Sequence, residues 1–147
     1  MGGGGVLSGG ARISPYLLYE DAAAAIDFLT RAFGLRERLR VPTDEGRVSH
    51  AELELDGSVV MLGEPGPEYR SPKTAGTRHA LMHVSVDDVD AHFERARDAG
   101  ATIIEPPAEQ PYGDRRYAAE DPEGHQWFFA EHVRDLAPEE WGAVVAS

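Results

Sequence analysis

The alternation of hydrophobic and polar residues predicts one order of structural elements that occurs twice along the chain. In the first half, residues 22–33 carry apolar side chains at helical spacing, with Asp21 as the N-cap and Gly34 just beyond the C-terminus. Runs of alternating character around this helix predict strands, because successive side chains of a strand point to opposite faces. These strands are predicted at residues 13–19, 35–41, 48–55 and 58–64.

The second half of the chain repeats this order. A strand at residues 79–86 leads into a helix that Asp87 or Asp88 caps and that extends through Ala99, with Gly100 as its terminal glycine. The remaining strands are predicted at residues 102–105, 115–119 and 126–133.

Turn residues agree with the repeat. Pro106 and Pro107 are expected to end the strand at residues 102–105, and residues 121–124 (Asp-Pro-Glu-Gly) have the composition of a tight turn. An offset of 67 residues aligns the two halves. It pairs Gly124 with Gly57, Tyr117 with His50, Ala118 with Ala51, and Phe128 with Met61.

The two repeats, residues 12–64 and 78–133, predict one α+β domain built from two β-α-β-β-β modules. Each module is too small to bury a sufficient core alone, so we expect them to share one. The Pro- and Gly-rich residues 65–77 are expected to be a linker. We expect residues 1–11 to be a flexible Gly-rich tail and residues 134–147 a tail with a short helix.

Composition and charge narrow the function. The chain has 147 residues and no cysteine, which excludes disulfides, thiolate metal sites and cysteine nucleophiles. Its formal net charge of −12 repels phosphate backbones and anionic lipids, so we expect neither a nucleic acid nor a membrane as a partner. No apolar run approaches the about 20 residues that span a bilayer. We expect the protein to be cytoplasmic.

Four local motifs within this duplicated order resemble the vicinal oxygen chelate superfamily, which includes glyoxalase I, extradiol dioxygenases, fosfomycin resistance enzymes and bleomycin resistance proteins. They are Asp-Ala-x-x-Ala-Ile-Asp-Phe at residues 21–28, Phe33-Gly34, Val86-Asp87-Asp88, and the turn at residues 121–124. The resemblance covers about residues 13–133. It implies a curved mixed sheet, an open barrel around a ligand cavity, with the helices on the outside.

The resemblance also implies where a metal would bind. Metal-using members place a ligand on the first and the last strand of each module, which corresponds to positions near Ser14, Met61, Leu81 and Phe128. None of these is an imidazole or a carboxylate, which such sites need. We therefore expect no metal and no other cofactor, as in bleomycin-resistance-like members that lack the metal ligands.

A displaced metal site is the alternative. His79 and His83 share a strand face but lie about 13 Å apart in an extended strand, too far to bind one ion together. Either of them could join His50 or Glu52 from a neighbouring strand. The simpler interpretation is that these groups line a wet cavity or are satisfied by hydrogen bonds. Glu52 has two possible roles, a general base or a member of a structural salt bridge or hydrogen bond, and the structural role is favoured.

The predicted cavity is mostly apolar and aromatic with a few polar groups, which suits a flat organic ligand. A loop before the penultimate strand is expected to cover its mouth, with Arg115 or Arg116 available to an acidic ligand group. The predicted ligand-binding residues are Tyr16, His50, Glu52, Met61, His79, Leu81, His83, Tyr112, Arg115, Gln126 and Phe128.

These observations predict a homodimer that binds a small hydrophobic or aromatic molecule, such as a drug or a metabolite, without a catalytic metal. Two alternatives stay open. One is a metal-dependent lyase, isomerase or dioxygenase that uses His50, Glu52, His79 or His83 in a rearranged site. The other is an interaction module whose cavity is filled by side chains and whose dimer surface is its function.

Overall fold

The structure, a computed structural model, describes residues 12–146, so the tail predicted at residues 1–11 lies outside the described residues. Eight strands, three α-helices and a 3₁₀ helix occur in this part of the chain. In chain order they are β1 (Tyr16–Leu18), α1 (Ala22–Phe33), β2 (Arg36–Pro42), β3 (Val48–Leu55), β4 (Ser58–Gly63), α2 (Pro72–Ala75), β5 (Met82–Ser85), α3 (Val89–Asp98), β6 (Thr102–Glu109), β7 (Asp114–Glu120), β8 (Gln126–His132) and the 3₁₀ helix (Pro138–Trp141).

The strands form two four-stranded sheets with the same strand order, β1-β4-β3-β2 in the first and β5-β8-β7-β6 in the second. The first strand of each sheet runs parallel to its last strand, and the other neighbours are antiparallel. Both sheets are therefore mixed, which confirms the predicted α+β class. The sheets do not close into a barrel among residues 12–146.

The register of the parallel pairs follows the predicted repeat. Tyr16 lies opposite Met61 in the first sheet, and His83 lies opposite Phe128 in the second. Both members of the second pair are 67 residues after their counterparts, as the sequence predicts. The duplication is thus visible at the level of individual strand pairs.

Both long helices begin with the same two contacts. The side chain of Asp21 accepts a hydrogen bond from the Ala24 amide at 3.1 Å, and Asp88 accepts one from the Ala91 amide at 3.1 Å. In each module, a glutamate at the end of the last strand or directly after it accepts a hydrogen bond from the first amide of the helix. These bonds join Glu64 to Ala22 at 2.6 Å and Glu131 to Val89 at 3.0 Å. Carboxylates at a helix N-terminus satisfy free amides and interact favourably with the helix dipole.

In the structure, β7 corresponds to β3 with an offset that is one residue shorter than the predicted 67 residues. His50 lies opposite Gly63, thirteen positions later, whereas Arg116 lies opposite Ala130, fourteen positions later. The second hairpin therefore contains one extra residue. Arg116, and not Tyr117, is the structural counterpart of His50.

The predicted end of β6 at Pro106 is wrong. The strand continues to Glu109 through both prolines. It lies at the edge of its sheet, and its register shifts between Glu105 and Ala108. Because an edge strand with a bulge leaves amide positions unpaired, two residues without an N–H are tolerated there.

Other differences concern short elements. The predicted strands at residues 13–19 and 79–86 are reduced to β1 and β5, and the linker contains the short helix α2. The amide of Lys73 in α2 donates to the carbonyl of Glu123 at 2.9 Å, which packs the linker against the turn before β8. A Cβ on Gly124 would lie 2.7 Å from the Lys73 nitrogen, so this contact and its φ of +87° both require glycine.

One hydrophobic core joins the two modules. Helix α1 packs on the first sheet and against α3, and its last residue, Phe33, reaches the second sheet. The Phe33 ring lies 4.8 Å from that of Phe129 and 5.5 Å from that of Trp127, and all three residues are fully buried. The shared core predicted from module size is present.

A buried carboxylate adds a polar link between the modules. Asp121, only 4% exposed, accepts a hydrogen bond from the Tyr19 hydroxyl at 2.6 Å and one from the Trp127 indole at 3.2 Å. Its other oxygen accepts from the amides of Glu123 and His125. Asp121 thereby ties the end of β1 to the turn before β8. Burial and this carboxylate raise the pKa of Tyr19, so the phenol stays a donor.

No helix among residues 12–146 is long and apolar enough to cross a membrane.

We expect Phe33→Ala to lower the free energy of unfolding by about 3–5 kcal/mol, because it leaves a cavity among buried aromatic rings. Chemical denaturation measures this loss. Ile13→Ala is the matched control, since Ile13 is 91% exposed and its truncation should change stability by about 0.5 kcal/mol or less. Similar losses in the two variants would contradict a core centred on Phe33.

We expect His92 to make the fold sensitive to acid. Burial, and secondarily the positive charge of Arg95, lower its pKa, while the bond to the Phe33 carbonyl acts in the opposite direction. An unfolded histidine titrates near a pH of about 6.5, so the neutral side chain contributes its full stability above that pH and loses it as the pH falls through the lower folded value. His92→Gln should therefore lose less stability than the wild type on acidification, as measured by denaturation at several pH values.

His132→Gln is the control with the opposite sign. Hydrogen bonds that the His132 ring donates to Asp135 and Asp114 raise the pKa of His132, so its contribution is present at low pH and is lost as the pH rises. This variant should lose more stability than the wild type on acidification. The interpretation of His92 is wrong if both variants respond to pH in the same direction.

Candidate functional site

Each sheet has one face on the shared core and an opposite face, which we call the outer face. Ala51 and Leu53 of the first sheet and Tyr117 and Phe129 of the second point to the core and are fully buried. Their strand neighbours point the other way. Most of the ligand-binding residues predicted from the sequence lie on the two outer faces.

The first outer face carries a chain of hydrogen bonds between three side chains. The Tyr16 hydroxyl lies 2.8 Å from Nδ1 of His50, and Nε2 of His50 lies 3.1 Å from Oε2 of Glu52. Because a carboxylate only accepts, Nε2 carries the proton, and Nδ1 of the neutral ring accepts from the Tyr16 hydroxyl. Met61 lies beside this cluster, opposite both Tyr16 and Glu52.

Strand register brings these three residues together. His50 and Glu52 are two positions apart on β3 and therefore share a face. Tyr16 comes from β1, on the far side of β4, and its ring crosses β4 over Gly63. A Cβ on Gly63 would lie 2.8 Å from the Tyr16 hydroxyl oxygen, so the absence of a side chain there makes room for the ring. The ring centroids of Tyr16 and His50 are 5.5 Å apart.

The exposure of the cluster increases from Glu52 to Tyr16. The Glu52 side chain is 0% exposed, that of His50 is 28% exposed, and Tyr16 is 48% exposed. The remaining Glu52 oxygen, Oε1, lies 3.7 Å from Nε of Arg38 and has no hydrogen-bond partner among residues 12–146. Burial and, to a smaller degree, the Glu52 carboxylate raise the pKa of Tyr16, so its hydroxyl stays protonated at neutral pH.

The second outer face has different chemistry. The Arg116 guanidinium lies over the Phe128 ring at 4.8 Å, a cation–π geometry. Its Nη1 donates to the Tyr112 hydroxyl at 3.0 Å, and its Nη2 pairs with Glu105 at 3.2 Å. Nε of Arg116 is buried without a hydrogen-bond partner among residues 12–146. Trp141 of the 3₁₀ helix packs edge-on against Tyr112, with ring centroids 5.9 Å apart.

A groove of about 430 Å³ lies between the edge of the first sheet and the start of β5. Helix α2 and the rest of the linker form one of its walls. Several predicted ligand-binding residues line it: Tyr16, His79, Leu81 and Gln126. Three of the residues that line it are well exposed, namely Tyr16 at 48%, Leu18 at 37% and Leu81 at 50%.

The predicted site residues thus fall into separate groups. Tyr16, His50, Glu52 and Met61 are neighbours on the first outer face, while His83 lies beside Phe128 on the second. Arg115 points elsewhere, since it pairs with Asp90 of α3 at 3.0 Å. Among residues 12–146, no three His, Asp or Glu side chains are grouped so that they could hold a metal ion.

Two polar residues of the outer faces were not identified from the sequence as site residues. Arg38 approaches Glu52 because Arg36 lies opposite Glu54 on the neighbouring strand, and the residue two positions later in that register faces Glu52. The sequence predicts Arg116 only as an alternative to Arg115. Strand alternation from the buried Tyr117 would have placed it correctly.

Comparisons with known proteins agree with this fold. The model of the Glyoxalase/Bleomycin resistance protein/Dioxygenase superfamily matches residues 12–129. This match confirms the resemblance to the vicinal oxygen chelate superfamily that the sequence motifs indicate.

Individual relatives match nearly the full chain. An uncharacterised protein of Mycobacterium bovis is 39% identical over 140 residues, which cover 92% of this chain and 92% of that protein. A Mycobacterium tuberculosis relative, also uncharacterised, has the same identity over 92% of this chain and 82% of its own length.

Solved structures match as well. The crystal structure of TioX from Micromonospora sp. ML1 is 39% identical, with a TM-score of 0.70 over 84% of this chain and 100% of that one. A glyoxalase/bleomycin resistance protein/dioxygenase from Nocardioides, at 20% identity, has a TM-score of 0.65 over 87% of each chain, and this likeness concerns the fold alone.

Proposed function

The chain belongs to the glyoxalase/bleomycin resistance protein/dioxygenase superfamily, and we propose that it binds a small aromatic or hydrophobic molecule without a catalytic metal. Sequestration of a drug or a metabolite is the concrete form of this function. We place this function in the cytoplasm.

The observation that carries the proposal is the chemistry at the centre of the two outer faces. Met61 and Phe128 occupy the last-strand positions at which metal-using members of the superfamily have a ligand, and neither side chain suits a divalent cation. Around them lie aromatic rings and a small number of oriented polar groups. Stacking surfaces with a few fixed hydrogen-bonding groups are typical of sites for flat organic molecules.

Each outer face has its own polar anchor. The first has the hydrogen-bonded Tyr16, His50 and Glu52, and the second has Arg116 above Phe128. Arg116 also has an N–H without a partner among the described residues, which favours a ligand that carries a hydrogen-bond acceptor.

We further propose that the protein is a homodimer and that dimerisation encloses the site. The edge strands β1 and β5 leave Tyr16, Leu18 and Leu81 between 37% and 50% exposed beside the groove. Both strands also lie at the edge of a sheet, a position that favours pairing with another chain. A second copy that covers these residues would bury apolar surface and exclude water from a bound ligand.

A metal-dependent enzyme is the second candidate function. It is favoured by the contact between His50 and Glu52, two side chains that bind divalent cations in other proteins. A further ligand would have to come from a partner chain or from substrate. Chelation distinguishes the two functions, because only the enzyme would need an ion.

We expect planar aromatic compounds to raise the unfolding temperature, since a ligand at a hundred times its Kd adds about 2.7 kcal/mol to the free energy of unfolding. Phe128→Leu should weaken the binding of the compound with the highest affinity by about fivefold, because loss of a stacking ring costs on the order of 1 kcal/mol. Calorimetric titration measures both affinities. Phe93→Leu on α3, which faces the core side of the second sheet, is the matched control and should bind normally.

The same titration is repeated with a chelator. Unchanged affinity agrees with the metal-free proposal. If the chelator abolishes binding and Zn²⁺, Ni²⁺, Mn²⁺ or Fe²⁺ restores it, the metal-free proposal is wrong and the metal-dependent enzyme takes its place. Equal affinities of the Phe128 and Phe93 variants would contradict a binding site at Phe128.

We expect Leu81→Asp to convert the dimer to a monomer, because it places a charge at the surface that the second copy would cover. Analytical ultracentrifugation measures the mass. Val144→Asp is the control, since Val144 is 92% exposed in the C-terminal tail, and it should leave the dimer intact. A wild-type protein that sediments as a monomer at every concentration would refute the proposed dimer.

A further inference from the structure

We propose that Tyr16, His50 and Glu52 form a proton relay that binds a planar aromatic molecule through a weakly acidic hydroxyl and holds it as its anion. This inference rests on the proposed function, because it names the class of ligand for the first outer face. It also adds a chemical step, the transfer of the ligand proton to the protein.

The order of the three groups supports a relay. The buried group is a carboxylate, the half-buried one an imidazole, and the exposed one a hydroxyl, joined by contacts of 3.1 Å and 2.8 Å. A buried carboxylate that accepts from one ring nitrogen fixes the histidine tautomer and stabilises the imidazolium. The other nitrogen is then a base directed at the hydroxyl.

The proton moves in two linked steps. A ligand hydroxyl that donates to Oη of Tyr16 gives its proton to that oxygen, while the original Tyr16 proton moves to Nδ1 of His50. The O–H bond of the ligand breaks and the electron pair stays on the ligand oxygen. Tyr16 ends as a hydroxyl that donates to the ligand anion, and His50 ends as an imidazolium paired with Glu52. No other reactant is needed.

Tyr16 is suited to transmit a proton rather than to hold a negative charge. Burial and the Glu52 carboxylate raise its pKa, so the phenol is restored after each transfer. The contact between Tyr16 and His50 requires glycine at position 63, because any side chain on Gly63 would displace the Tyr16 ring from His50.

The charged groups around the relay favour the addition of one proton, which His50 would carry. Arg38 on β2 is the nearest cation, with its Nε 3.7 Å from Oε1 of Glu52. The other charged groups on β2 and β3 near this face are paired: Arg36 with Glu54, and Arg40 with Glu37. On β4, Met61 and Gly63 carry no charge. Glu52 is therefore the carboxylate that balances an imidazolium at His50.

The test uses two small probes, 4-nitrophenol and its methyl ether 4-nitroanisole. The phenol and phenolate forms of the first absorb at different wavelengths, so its ionisation is read directly when it is bound. The second has the same ring but no acidic proton. With the full-length wild-type protein, we expect both probes to bind and the ionised-to-neutral ratio of bound 4-nitrophenol to rise by about tenfold, one pKa unit.

Variants separate the relay from simple binding. Tyr16→Phe and Glu52→Gln should abolish or reduce the shift in ionisation while 4-nitroanisole still binds. His132→Gln, a histidine substitution at the end of β8 in the second sheet and outside the relay, should behave as the wild type. Calorimetry in buffers of different ionisation enthalpy adds an independent readout, since a proton that stays on His50 is not released to the buffer.

The possible outcomes are distinct. If both probes bind but the Tyr16 and Glu52 variants ionise 4-nitrophenol as well as the wild type, the relay is refuted while the proposed binding function stands. The same holds if 4-nitroanisole binds and 4-nitrophenol does not. If neither these probes nor any other aromatic compound binds, both the relay and the proposed function are wrong.

Discussion

The structure depends on a core that neither module can form alone. A sheet of four short strands with one helix buries little apolar surface, and domains of this size are marginal by themselves. Phe33, at the end of α1, supplies the connection because its ring packs against Trp127 and Phe129 of the other module. Asp121 adds a polar contact beside it, where the Tyr19 hydroxyl and the Trp127 indole meet one carboxylate.

The shared core separates an interior, whose geometry is the same in both modules, from two outer faces that differ from each other. The helix caps, strand order and register repeat from one module to the other because they determine how each helix packs on its sheet. The outer faces make no contribution of this kind. Their residues are therefore free to differ, and His50 with Glu52 on one face has Arg116 with Ala118 as its counterpart on the other.

Most of the fold could be predicted from the sequence because its signals are local. The N-cap Asp21, the periodic apolar residues of α1 and the terminal Gly34 determine that helix, and the structure places it at the predicted residues. Pro106 and Pro107 were misleading because tolerance for proline depends on whether a strand lies at the edge of a sheet, which only the tertiary structure determines.

The candidate site was less accessible to prediction for the same reason. Alternation correctly put His50 and Glu52 on one face, but their contact with Tyr16 depends on β4 lying between β1 and β3 and on the missing side chain of Gly63. Arg38 approaches Glu52 from β2, so this contact depends on how β2 pairs with β3. His92, which joins α3 to the Phe33 carbonyl and the Tyr117 hydroxyl, lies on a helix where the sequence gives no indication of its partners.

The single extra residue in the second hairpin has a consequence for recognition. A duplicated scaffold with two equal faces would offer the same binding chemistry twice. Because of the extra residue, Arg116 occupies on the second outer face the position that His50 occupies on the first. One face therefore carries an acid–base pair and the other a fixed cation. The two faces therefore recognise different chemical groups, although the scaffold that carries them is repeated.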